Sequence, residues 1–505
     1  MDEEIEGGAS EEERAEAEKF NRLVSEGKLT PAEMAEMELN NFQDQKVGVL
    51  GLGEENLALV KYLIAQKAKV VICDQKSREE LGKYYRQMEN LPVQFRLGPH
   101  YLDHLEDFAT VFRTPGLPYL HPKIQEAKNS GVEISSQTKL FFSLCPCPII
   151  GITGTKGKGT TTALIGEILK RKFQNPNVKF QTNSQSQTPK NIYIGGNIGH
   201  PPIEFLDKLT KTDLVVLELS SFQLQDLDRS PHLAVILDIK VDHLDYHRDE
   251  KEYVEAKRNI VKYQSPKDFA VINADYLTSI EFASSTLAKI YWFSRRKSVD
   301  LGTFLLNNEL ILRTEDNDYP IIKTEQIQLR GAHNLENIAA AITASFLAGA
   351  DIEAIKSAVK DFRGLEHRLE FVREVGGVKF YNDSFSTTPE TTIAAIQSFA
   401  EPLILLLGGS EKGADYQELG KVISQSRVKM IIPIGLTAKR IIKEITKSEI
   451  KIIEEIQSMS EAIKIAQKNA RPGEVVLLSP ASASFDRFQN YKERGKIFKT
   501  EVNKL

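Results

Sequence analysis

The chain has 505 residues, which is too long for one ordinary hydrophobic core and indicates about two to four domains. Its hydrophobic content of 41% and charged content of 27% are ordinary for a soluble globular protein, and a net charge of −5 gives no reason to expect a nucleic-acid or membrane-surface partner. No apolar run reaches the roughly 18 residues of a membrane span, and no apolar signal core is present, so we expect a cytoplasmic protein.

The sequence contains three cysteines, Cys73, Cys145 and Cys147. Three thiols do not form a disulfide framework, and the Cys145-Pro-Cys147 segment lacks the second pair of ligands that a structural zinc site needs. We therefore expect reduced, buried cysteines.

Residues 1–45 are acidic and polar, with a helical pattern from Glu11 to Leu23 and again from Pro31 to Phe42. Pro31 after Thr30 is typical of a helix start. A solvated extension, partly helical or disordered, is favoured over a functional arm, because so polar a segment has little apolar surface to bury.

Residues 46–136 begin with a strand and a glycine-rich turn at Lys46–Gly53, then a predicted helix at Glu55–Gln66 and a second strand at Lys69–Asp74. This order is typical of half of a Rossmann-like fold, in which a carboxylate such as Asp74 accepts a hydrogen bond from a ribose or a base. Thr114–Pro118 is predicted to be another strand-end loop of this unit, which we expect to end near residue 137.

The dinucleotide fingerprint is incomplete, because Asn56 occupies the position of its third glycine. Glu54 and Glu55, at the start of the helix, would also repel a pyrophosphate. An NAD-linked dehydrogenase is therefore a weak interpretation of the Gly51-Leu-Gly53 turn.

The clearest motif is GITGTKGKGTTT at residues 151–162, between a predicted strand at Pro148–Ile150 and a predicted helix at Thr160–Lys172. Glycines let backbone N–H groups close on phosphate oxygens, and the helix N-terminus adds partial positive charge. We predict that Lys158 reaches the outer phosphates of a nucleotide. A threonine hydroxyl would hold Mg²⁺, although Gly159 separates the lysine from Thr160.

Two predicted strands and a helix follow this loop. Asp213–Glu218 ends in a carboxylate, which beside a phosphate loop is the expected second partner for Mg²⁺. Leu233–Asp238 is followed by the polar cluster DHLDYH at residues 242–247. Lys257 lies on or beside the apolar face of a predicted helix at Glu250–Tyr263, and a lysine so placed usually extends its ammonium group to solvent.

Leu329–Asn337 opens another helix, with Asn334 and Asn337 three residues apart and hence on one face. The section from residue 365 onward has its own α/β pattern, with strands predicted at Val378–Tyr381, Pro402–Leu407, Lys429–Pro433 and Glu474–Leu478. Each strand ends in a small or polar loop. Because ligands bind beyond the carboxyl ends of parallel strands, we expect a site assembled between domains, as in an enzyme that closes on several substrates.

Ten segments of the chain, in this order, resemble the Mur ligases. They are GITGTKGKGTTT (151–162), GGNIG (195–199), ELSSFQL (218–224), DHLDYH (242–247), EAKRNI (255–260), GAHNLENIAAA (331–341), GLEHRLE (364–370), NDS (382–384), LLGGSEKGADY (406–416) and LSPASASFDRFQNYKERG (478–495). ELSSFQL and the last segment are similar to the branch that adds D-glutamate to UDP-N-acetylmuramoyl-L-alanine in peptidoglycan synthesis.

The resemblance implies an ADP-forming ligase with three α/β domains. These are a Rossmann-like domain at 46–136 for the UDP substrate, a central P-loop ATPase-like domain at 137–364 and a C-terminal Rossmann-like domain at 365–505 for the amino acid. The implied partners are small-molecule substrates alone, with no nucleic acid, and we expect a monomer. ATP would phosphorylate the substrate carboxylate, and the acyl phosphate would then react with the amine of the amino acid.

The resemblance also assigns residues, together with ATP and two Mg²⁺ sites. Catalytic roles fall on Lys158, His243 and Lys257. ATP-binding positions are Gly154, Thr155, Lys156, Gly157, Lys158, Gly159, Thr160, Asn334, Asn337, Arg368 and Asp383. Metal-binding positions are Thr160, Glu218, His243 and Lys257, the lysine as a carbamate that turns a cation into an anion. UDP-substrate positions are Gly51, Gly53, Asp74, Gly116 and Asn197, and amino-acid positions are Thr387, Lys412, Ser484 and Tyr491.

The chain departs from the family pattern at five positions. Gly159 makes the phosphate loop GKGT, closer to folylpolyglutamate synthases, and shifts the hydroxyl proposed for Mg²⁺ by one residue. Phe385 stands where this branch usually has lysine, which removes a cation near the reacting centre. Asp238 replaces a common asparagine, and Glu54 and Glu55 replace small or hydroxyl residues. The N-terminal extension has no counterpart in the pattern.

Three alternatives remain at this point. Another Mur or folylpolyglutamate-type ligase, with a different amino acid or acceptor, is favoured if Phe385 reshapes the amino-acid pocket. A regulatory protein that kept the fold without catalysis would have little need of the intact set Lys158, Glu218, His243, Lys257 and Lys412. The NAD-linked dehydrogenase is the weakest of the three.

Overall fold

The structure is a computed structural model that describes residues 42–174, 189–197, 199–240, 246–411, 413–446, 449–454 and 456–505. The two helices predicted in the N-terminal extension, apart from Phe42, lie outside the described residues.

The first sheet is parallel and has five strands in the order β3-β2-β1-β4-β5. Its strands are β1 Lys46–Leu50, β2 Lys69–Asp74, β3 Val93–Leu97, β4 Thr110–Arg113 and β5 Glu133–Ser135. Its helices are Glu54–Ala65, Arg78–Leu81, Lys83–Met88 and Pro122–Asn129, with a 3-10 turn at Leu105–Asp107. Strands β1 and β2 are buried on both faces after their first residue, as parallel strands between helices require. The predicted Rossmann-like unit is confirmed.

The second sheet has nine strands in the order β14-β13-β12-β11-β10-β9-β6-β8-β7. They are β6 Ile149–Thr153, β7 Ile192–Gly196, β8 Leu214–Glu218, β9 Leu233–Ile236, β10 Phe269–Asn273, β11 Lys289–Ser294, β12 Gly302–Leu306, β13 Glu309–Arg313 and β14 Asp318–Lys323. Helices lie at Gln137–Leu144, Lys158–Gln174, Ser221–Leu224, Glu250–Lys262, Leu277–Ile280, Ala332–Leu347 and Ile352–Asp361. Further 3-10 turns lie at Pro202–Lys208, Glu281–Ser285 and Thr324–Gln326.

The order of strands and helices that is usual in an α/β domain is interrupted over residues 302–323. There, β12, β13 and β14 follow one another as an antiparallel extension of the sheet. Asn307 and Asn308 form the tight turn between the first two, with φ of 47° and 60°. Asparagine tolerates this left-handed backbone, which matches the twist of a hairpin. The Asn-Asn pair in the sequence therefore indicates a hairpin turn.

The third sheet has six strands in the order β15-β16-β20-β17-β18-β19, parallel except for the β15/β16 pair. They are β15 Glu370–Val375, β16 Val378–Asn382, β17 Leu403–Leu407, β18 Val428–Pro433, β19 Lys451–Ile452 and β20 Val475–Leu478. Helices lie at Pro389–Gln397, Gln417–Gln425, Ala438–Lys443, Met459–Asn469 and Tyr491–Val502. The four predicted strands of this section are confirmed to within one residue at each end.

The apolar cores divide unevenly among the sheets. A single cluster contains Val47 and Val49 of β1, Val215 and Leu217 of β8, and Phe141 of the helix between the two sheets. The two clusters of the third sheet contain only residues after 368. The first two sheets therefore share a core that the third does not join.

All three cysteines are free, and the Sγ atoms of Cys145 and Cys147 lie 3.7 Å apart. Cys73 and Cys147 are buried as predicted, whereas Cys145 is half-buried. In the described part of the chain, no helix is both long enough and apolar enough to span a membrane.

Candidate active site

Strand β6 carries the first residues of the glycine-rich motif into the second sheet. It ends at Thr153, so the predicted strand, which ended at Ile150, was three residues too short. A side chain at Gly151 would have its Cβ 2.8 Å from Pro231, which explains glycine at this position of the strand. The glycine-rich loop therefore begins directly after a buried, tightly packed strand, which fixes its position relative to the sheet.

The loop at residues 154–157 leads into a helix that begins at Lys158, two residues before the predicted start. Gly154 and Gly157 have φ of 155° and 88°, for which glycine is suited. Lys158 Nζ donates to the carbonyl oxygens of Gly154 and Thr155 at 2.9 and 3.0 Å. The lysine therefore folds over a loop whose helix N-terminus favours a bound anion.

Thr155 fastens this loop to the end of the neighbouring strand. Its N–H donates to the carbonyl oxygen of Asp238 at 2.7 Å, and its hydroxyl lies 2.8 Å from Lys240 N and 2.9 Å from Tyr253 OH. Lys156 is exposed, and Thr160 is buried in the first turn of the helix.

Lys257 is buried, contrary to the expectation that its ammonium group would extend to solvent. Only 1% of the residue is exposed, and Nζ lies over the ring of Tyr253. Nζ lies 3.2 Å from the Gly154 carbonyl oxygen and 3.4 Å from Thr153 Oγ1. The amines of Lys158 and Lys257 thus meet at one carbonyl oxygen of the phosphate loop.

Glu218 ends strand β8, which is paired with β6, and is buried. Its Oε1 accepts a hydrogen bond from Asn197 Nδ2 at 3.0 Å. Its Oε2 is buried and has no hydrogen-bond partner within the described residues. A buried carboxylate oxygen without a donor is costly, and a cation is one way to satisfy it. Gly196 permits the close approach, because a Cβ there would overlap the Glu218 backbone.

Asn334 and Asn337 lie on one face of the helix Ala332–Leu347, as predicted. Asn337 Nδ2 donates to Asn334 Oδ1 at 2.9 Å, and Asn334 Nδ2 donates to the carbonyl oxygen of Arg330. Asn337 packs directly on the phosphate loop, where a Cβ at Gly157 would overlap its side chain. This helix therefore brings polar side chains against the predicted nucleotide loop.

Arg368 reaches from the start of the third sheet toward the second. Burial lowers the pKa of its guanidinium, and the carboxylates of Glu218 and Asp383 oppose that shift. The residues on either side, His367 and Leu369, have φ of 66° and 43°. Such left-handed backbone at bulky residues is strained, and strain of this kind concentrates at functional sites.

Asp383 follows strand β16 and is buried. Burial raises the pKa of its carboxyl to about 6. Hydrogen bonds from the Ser386 hydroxyl, from the Ser479 hydroxyl at 2.8 Å and from Leu369 N at 3.1 Å hold the pKa below what burial alone would give. The carboxylate is thus built into the end of the third sheet.

The predicted amino-acid positions that the structure describes lie at the same end of the third sheet. Ser484 is buried, Thr387 is half-buried, and Tyr491 begins the last helix. Phe385, the position where lysine is usual, lies edge-on to the Tyr491 ring with centroids 5.1 Å apart. The Arg368 guanidinium lies over the Phe385 ring at 4.2 Å. At position 385, an aromatic contact and a cation–π contact therefore take the place of the lysine ammonium group that is usual there.

Four of the predicted UDP-substrate positions lie beyond the carboxyl ends of strands in the first sheet, whereas Asn197 follows β7 of the second sheet. Gly51 has φ of 81° and faces Thr114, Gly53 precedes the helix Glu54–Ala65, and Gly116 has open space around it. Asp74 accepts hydrogen bonds from Leu52 N at 2.6 Å and Lys76 N at 2.9 Å. Its carboxylate orders the surrounding turns, and its contact with a ribose or base stays a prediction.

Glu54 and Glu55 have different surroundings, although both were expected to repel a pyrophosphate. Glu54 is exposed. Glu55 accepts a hydrogen bond from Gln223 Nε2 of the second sheet's ELSSFQL segment at 3.4 Å, and burial raises its pKa. Glu55 therefore faces the second sheet. Of the two carboxylates, only that of Glu54 is placed to repel a pyrophosphate.

Two buried arginines were not singled out from the sequence. Arg494 donates to Ser384 Oγ at 3.0 Å, to Ser384 O at 2.9 Å and to Ser482 O at 3.1 Å, which ties together the loops after β16 and β20. Burial lowers its pKa to about 10. Arg113, the last residue of β4, bridges the first two sheets. The sequence feature that could have indicated Arg113 is a charged residue at the end of the apolar strand TVFR.

His243 and Lys412, which were predicted to bind metal and amino acid, lie outside the described residues. Of the other predicted residues, Lys158, Thr160, Glu218, Lys257, Asn334 and Asn337 gather at one end of the second sheet. Arg368 interacts electrostatically with Glu218 of this group and with Asp383 of the third sheet.

Three family models match consecutive parts of the chain. They are the "Mur ligase MurD-like, N-terminal domain" at residues 45–136, the "Mur ligase middle domain" at 152–345 and the "Mur ligase, glutamate ligase domain" at 367–482.

Among curated relatives, the UDP-N-acetylmuramoylalanine–D-glutamate ligase of Symbiobacterium thermophilum is 40% identical over 466 residues, covering 91% of this chain and 98% of that protein. The ligase of the same name from Acetivibrio thermocellus is 39% identical over 478 residues, covering 92% of this chain and 99% of that protein.

Solved structures share the fold at much lower identity. MurF from Acinetobacter baumannii has a TM-score of 0.55 at 15% identity, covering 94% of this chain and 98% of that one. The MurF ligase of Thermotoga maritima in complex with ADP has a TM-score of 0.52 at 16% identity, covering 92% and 97%.

Proposed function

The chain belongs to the Mur ligase family, and we propose that it joins D-glutamate to UDP-N-acetylmuramoyl-L-alanine with conversion of ATP to ADP and phosphate, in peptidoglycan precursor synthesis. The structural observation that supports this most is the meeting of Lys158 and Lys257 at the Gly154 carbonyl, beside Glu218 on the paired strand. Phosphoryl transfer to a carboxylate needs such a set of charges at one point.

The chemistry follows from the weakness of a carboxylate as an electrophile. Transfer of the γ-phosphoryl group of ATP to the carboxylate of the L-alanyl group gives an acyl phosphate and ADP. The amine of D-glutamate then attacks the acyl carbon, and phosphate leaves as the amide forms. Lys158 would neutralise charge on the phosphates. Contacts to ATP are proposed for Gly154–Gly159, Asn334, Asn337, Arg368 and Asp383.

The residues at the end of β8 fit a divalent cation, because Glu218 Oε2 is buried without a hydrogen-bond partner in the described part of the chain. Thr160 and Glu218 are proposed for one Mg²⁺, and His243 with carbamylated Lys257 for the second. Bound Mg²⁺ would neutralise phosphate charge and orient the phosphates for in-line transfer.

Carbamylation of Lys257 is proposed from its surroundings. Its buried Nζ lies beside the carbonyl oxygen that Lys158 also contacts, and two ammonium groups so close would repel one another. Addition of CO₂ to the neutral amine forms an N–C bond and releases one proton, which replaces a cation by an anion. An anion beside Lys158 and a metal site removes the repulsion.

The substrate sites lie on either side of this centre. The UDP substrate is assigned to Gly51, Gly53, Asp74, Gly116 and Asn197. D-Glutamate, with two carboxylates, is assigned to Thr387, Lys412, Ser484 and Tyr491, where hydroxyl groups and one cation meet its charge. The corresponding domains are proposed as 46–136, 137–364 and 365–505. A monomer is proposed, and the nucleotide-linked substrates support a cytoplasmic location.

A second candidate is a ligase of this family with a different amino acid. It is favoured by one observation, the aromatic contact of Phe385 with Tyr491 beside the proposed amino-acid site. That contact changes the shape and charge of the pocket relative to the lysine that is usual there.

The deciding experiment measures phosphate release with ATP, Mg²⁺ and UDP-N-acetylmuramoyl-L-alanine across a panel of D- and L-amino acids, with products identified by mass. We expect release with D-glutamate and a product heavier by one glutamyl unit. Release with another amino acid alone would favour the second candidate. No release with any amino acid would overturn the proposed reaction.

The carbamate has its own test. We expect Lys257→Ala to lower kcat on the order of 10³-fold, because a charge at the phosphoryl-transfer centre is lost, with partial rescue by bicarbonate or short carboxylates. Lys262→Ala, an exposed lysine of the same helix, is the matched control and should keep wild-type activity. Full activity of the Lys257 variant would rule out the carbamate.

A further inference from the structure

Arg113 occupies an unusual position for an arginine, because it is fully buried at the end of the first sheet. Its Nη1 donates to the carbonyl oxygens of Thr114 at 3.2 Å and Leu117 at 2.7 Å, the two ends of one loop. This loop, residues 114–117, includes Gly116, which is assigned to the UDP substrate. The buried arginine therefore holds both ends of the loop by hydrogen bonds from the protein interior.

The same guanidinium is held from the second sheet. Nη2 donates to Phe222 O at 3.0 Å and lies 3.3 Å from Asp226 Oδ2, and Nη1 donates to Tyr246 OH at 2.9 Å. Tyr246 OH in turn donates to Leu117 O at 2.9 Å. Phe222 belongs to the segment that begins with Glu218, so a single side chain connects the substrate loop to the segment that carries the proposed metal ligand.

Two carboxylates, those of Asp226 and Glu55, face this arginine. Asp226 is buried and accepts a hydrogen bond from Ser136 Oγ at 3.3 Å. Glu55 is held by Gln223. A lysine could supply the positive charge. It lacks the planar guanidinium whose several N–H groups donate to the loop and to the neighbouring domain at the same time.

We infer that Arg113 is a positioning residue that sets the UDP-substrate loop, residues 114–117, against the ATP-binding part of the molecule. The inference rests on the proposed function for the identity of the ligand. It differs from a purely structural role in its consequence: loss of Arg113 weakens use of the UDP substrate even where the fold is fully stable.

The experiment separates position from stability by removing both charges. Arg113→Met alone leaves Asp226 buried without its partner and is expected to lower Tm. The double variant Arg113→Met/Asp226→Leu removes both members of this ion pair, and buried ion pairs are often replaced by apolar side chains without loss of stability. Arg113→Lys, which keeps the charge and loses the planar guanidinium, is the second variant. Arg171→Met, which removes a contact with Asp361 between two helices of the second sheet, is the control.

We expect the double variant to keep Tm within a few degrees of the wild type. KM for UDP-N-acetylmuramoyl-L-alanine should rise about tenfold, as for loss of a buried hydrogen-bonded charge, while KM for ATP and D-glutamate changes less than about twofold. Arg113→Lys should give a smaller rise in the same KM. Arg171→Met should leave all three unchanged.

Hydrogen exchange of the backbone amides at residues 114–117, in protein without ligand, gives a readout independent of turnover. Faster exchange in the double variant at unchanged Tm supports the inference. Wild-type exchange together with a wild-type KM in the double variant overturns it, as does an equal rise of all three KM values. If the wild type itself does not turn over the substrates, the proposed function fails, and the exchange rates still decide the role of Arg113.

Discussion

The junction between the first and second sheets is mainly apolar, whereas the junction between the second and third sheets is mainly polar. The first and second sheets share one apolar cluster, in which Val49 and Leu217 belong to different sheets and Phe141 lies on the connecting helix. The buried pair of Arg113 and Asp226 is enclosed in the same junction, with side chains 0% and 2% exposed. Polar groups here are few and buried, and within the described residues Arg113 Nε and Asp226 Oδ2 have no hydrogen-bond partner.

The second and third sheets meet through polar and charged side chains. Arg330 Nη1 lies 2.8 Å from Glu401 Oε1, and Arg330 Nε donates to Tyr381 OH at 3.0 Å. Both members of that ion pair are about one quarter exposed. Arg368 reaches across the same junction toward Glu218. Polar, partly hydrated contacts of this kind resemble transient interfaces and permit relative motion of domains.

The difference assigns separate tasks to the two junctions. The apolar junction fixes the UDP-substrate loop against the ATP site, so loss of apolar burial there costs stability. The polar junction brings the amino-acid site to the same centre and can open to admit a substrate, so damage there costs turnover more than stability. Each of the following predictions tests this division.

The largest effect is expected at the shared core. Phe141 is fully buried and meets the Phe205 ring edge-on with centroids 5.7 Å apart. Phe141→Ala should lower the free energy of unfolding by about 3–5 kcal/mol through lost burial and a residual cavity. Trp292 of β11, the only tryptophan of the chain, reports unfolding of the second sheet by fluorescence.

Phe498→Ala is the matched control, because Phe498 is equally buried but lies in a core of the third sheet. It should leave the Trp292 transition near its wild-type midpoint while a circular-dichroism signal of the third sheet shifts. If both variants move the Trp292 transition equally, the three sheets unfold as one unit and the comparison of junctions is wrong.

The sequence alone predicted the parts of this architecture that depend on local pattern. Strand Lys69–Asp74 is observed with its predicted bounds, since an apolar run between polar residues determines it. Asn334 and Asn337 share a helix face because their spacing dictates it. The phosphate loop was found from its glycines, lysine and threonines, although the strand and helix beside it extend further into the motif.

The junctions could not be predicted, because their contacts join residues far apart in the chain. Nothing near Arg113 indicates that Asp226 will neutralise it, and nothing near Phe385 indicates contacts with both Arg368 and Tyr491. The helix pattern alone did not predict the burial of Lys257, since a lysine on a helix is ordinarily free to reach solvent, and only the family resemblance assigned it to a metal site. Pairings of this kind depend on how whole sheets pack.

An intermediate effect is expected at Asp383, beside the polar junction. Its carboxyl has a pKa of about 6 against an ordinary 3.8, so ionisation within the fold costs about 3 kcal/mol at pH 7. Because the folded protein binds this proton more tightly than the unfolded chain, the contribution of Asp383 to stability falls as pH rises from about 4 to 6 and stays low above. Asp383→Asn should therefore raise Tm at pH 7 and lower activity sharply.

Calorimetry of both proteins from pH 4 to pH 8 provides the measurement. The stability difference in favour of Asp383→Asn should be small near pH 4 and grow up to about pH 6.5. Asp415→Asn, at an exposed carboxylate of the same domain, should give no such growth. A difference that is constant with pH, or a variant less stable than wild type throughout, would contradict the assigned cost of ionisation.

The smallest effect is expected at Phe385, which lies between the Arg368 guanidinium and the Tyr491 ring and is 37% exposed. Phe385→Ala removes a cation–π and an aromatic contact that hold Arg368 and Tyr491 beside the amino-acid site, together about 1–2 kcal/mol, so KM for D-glutamate should rise by at most about five- to thirtyfold while Tm falls by only a few degrees. Phe385→Tyr keeps the ring and should keep the KM. A large loss of stability with unchanged KM would mean that Phe385 belongs to the packing of the third sheet and not to the amino-acid site. The opposite result, a rise in KM with little loss of stability, is what a junction that serves turnover requires.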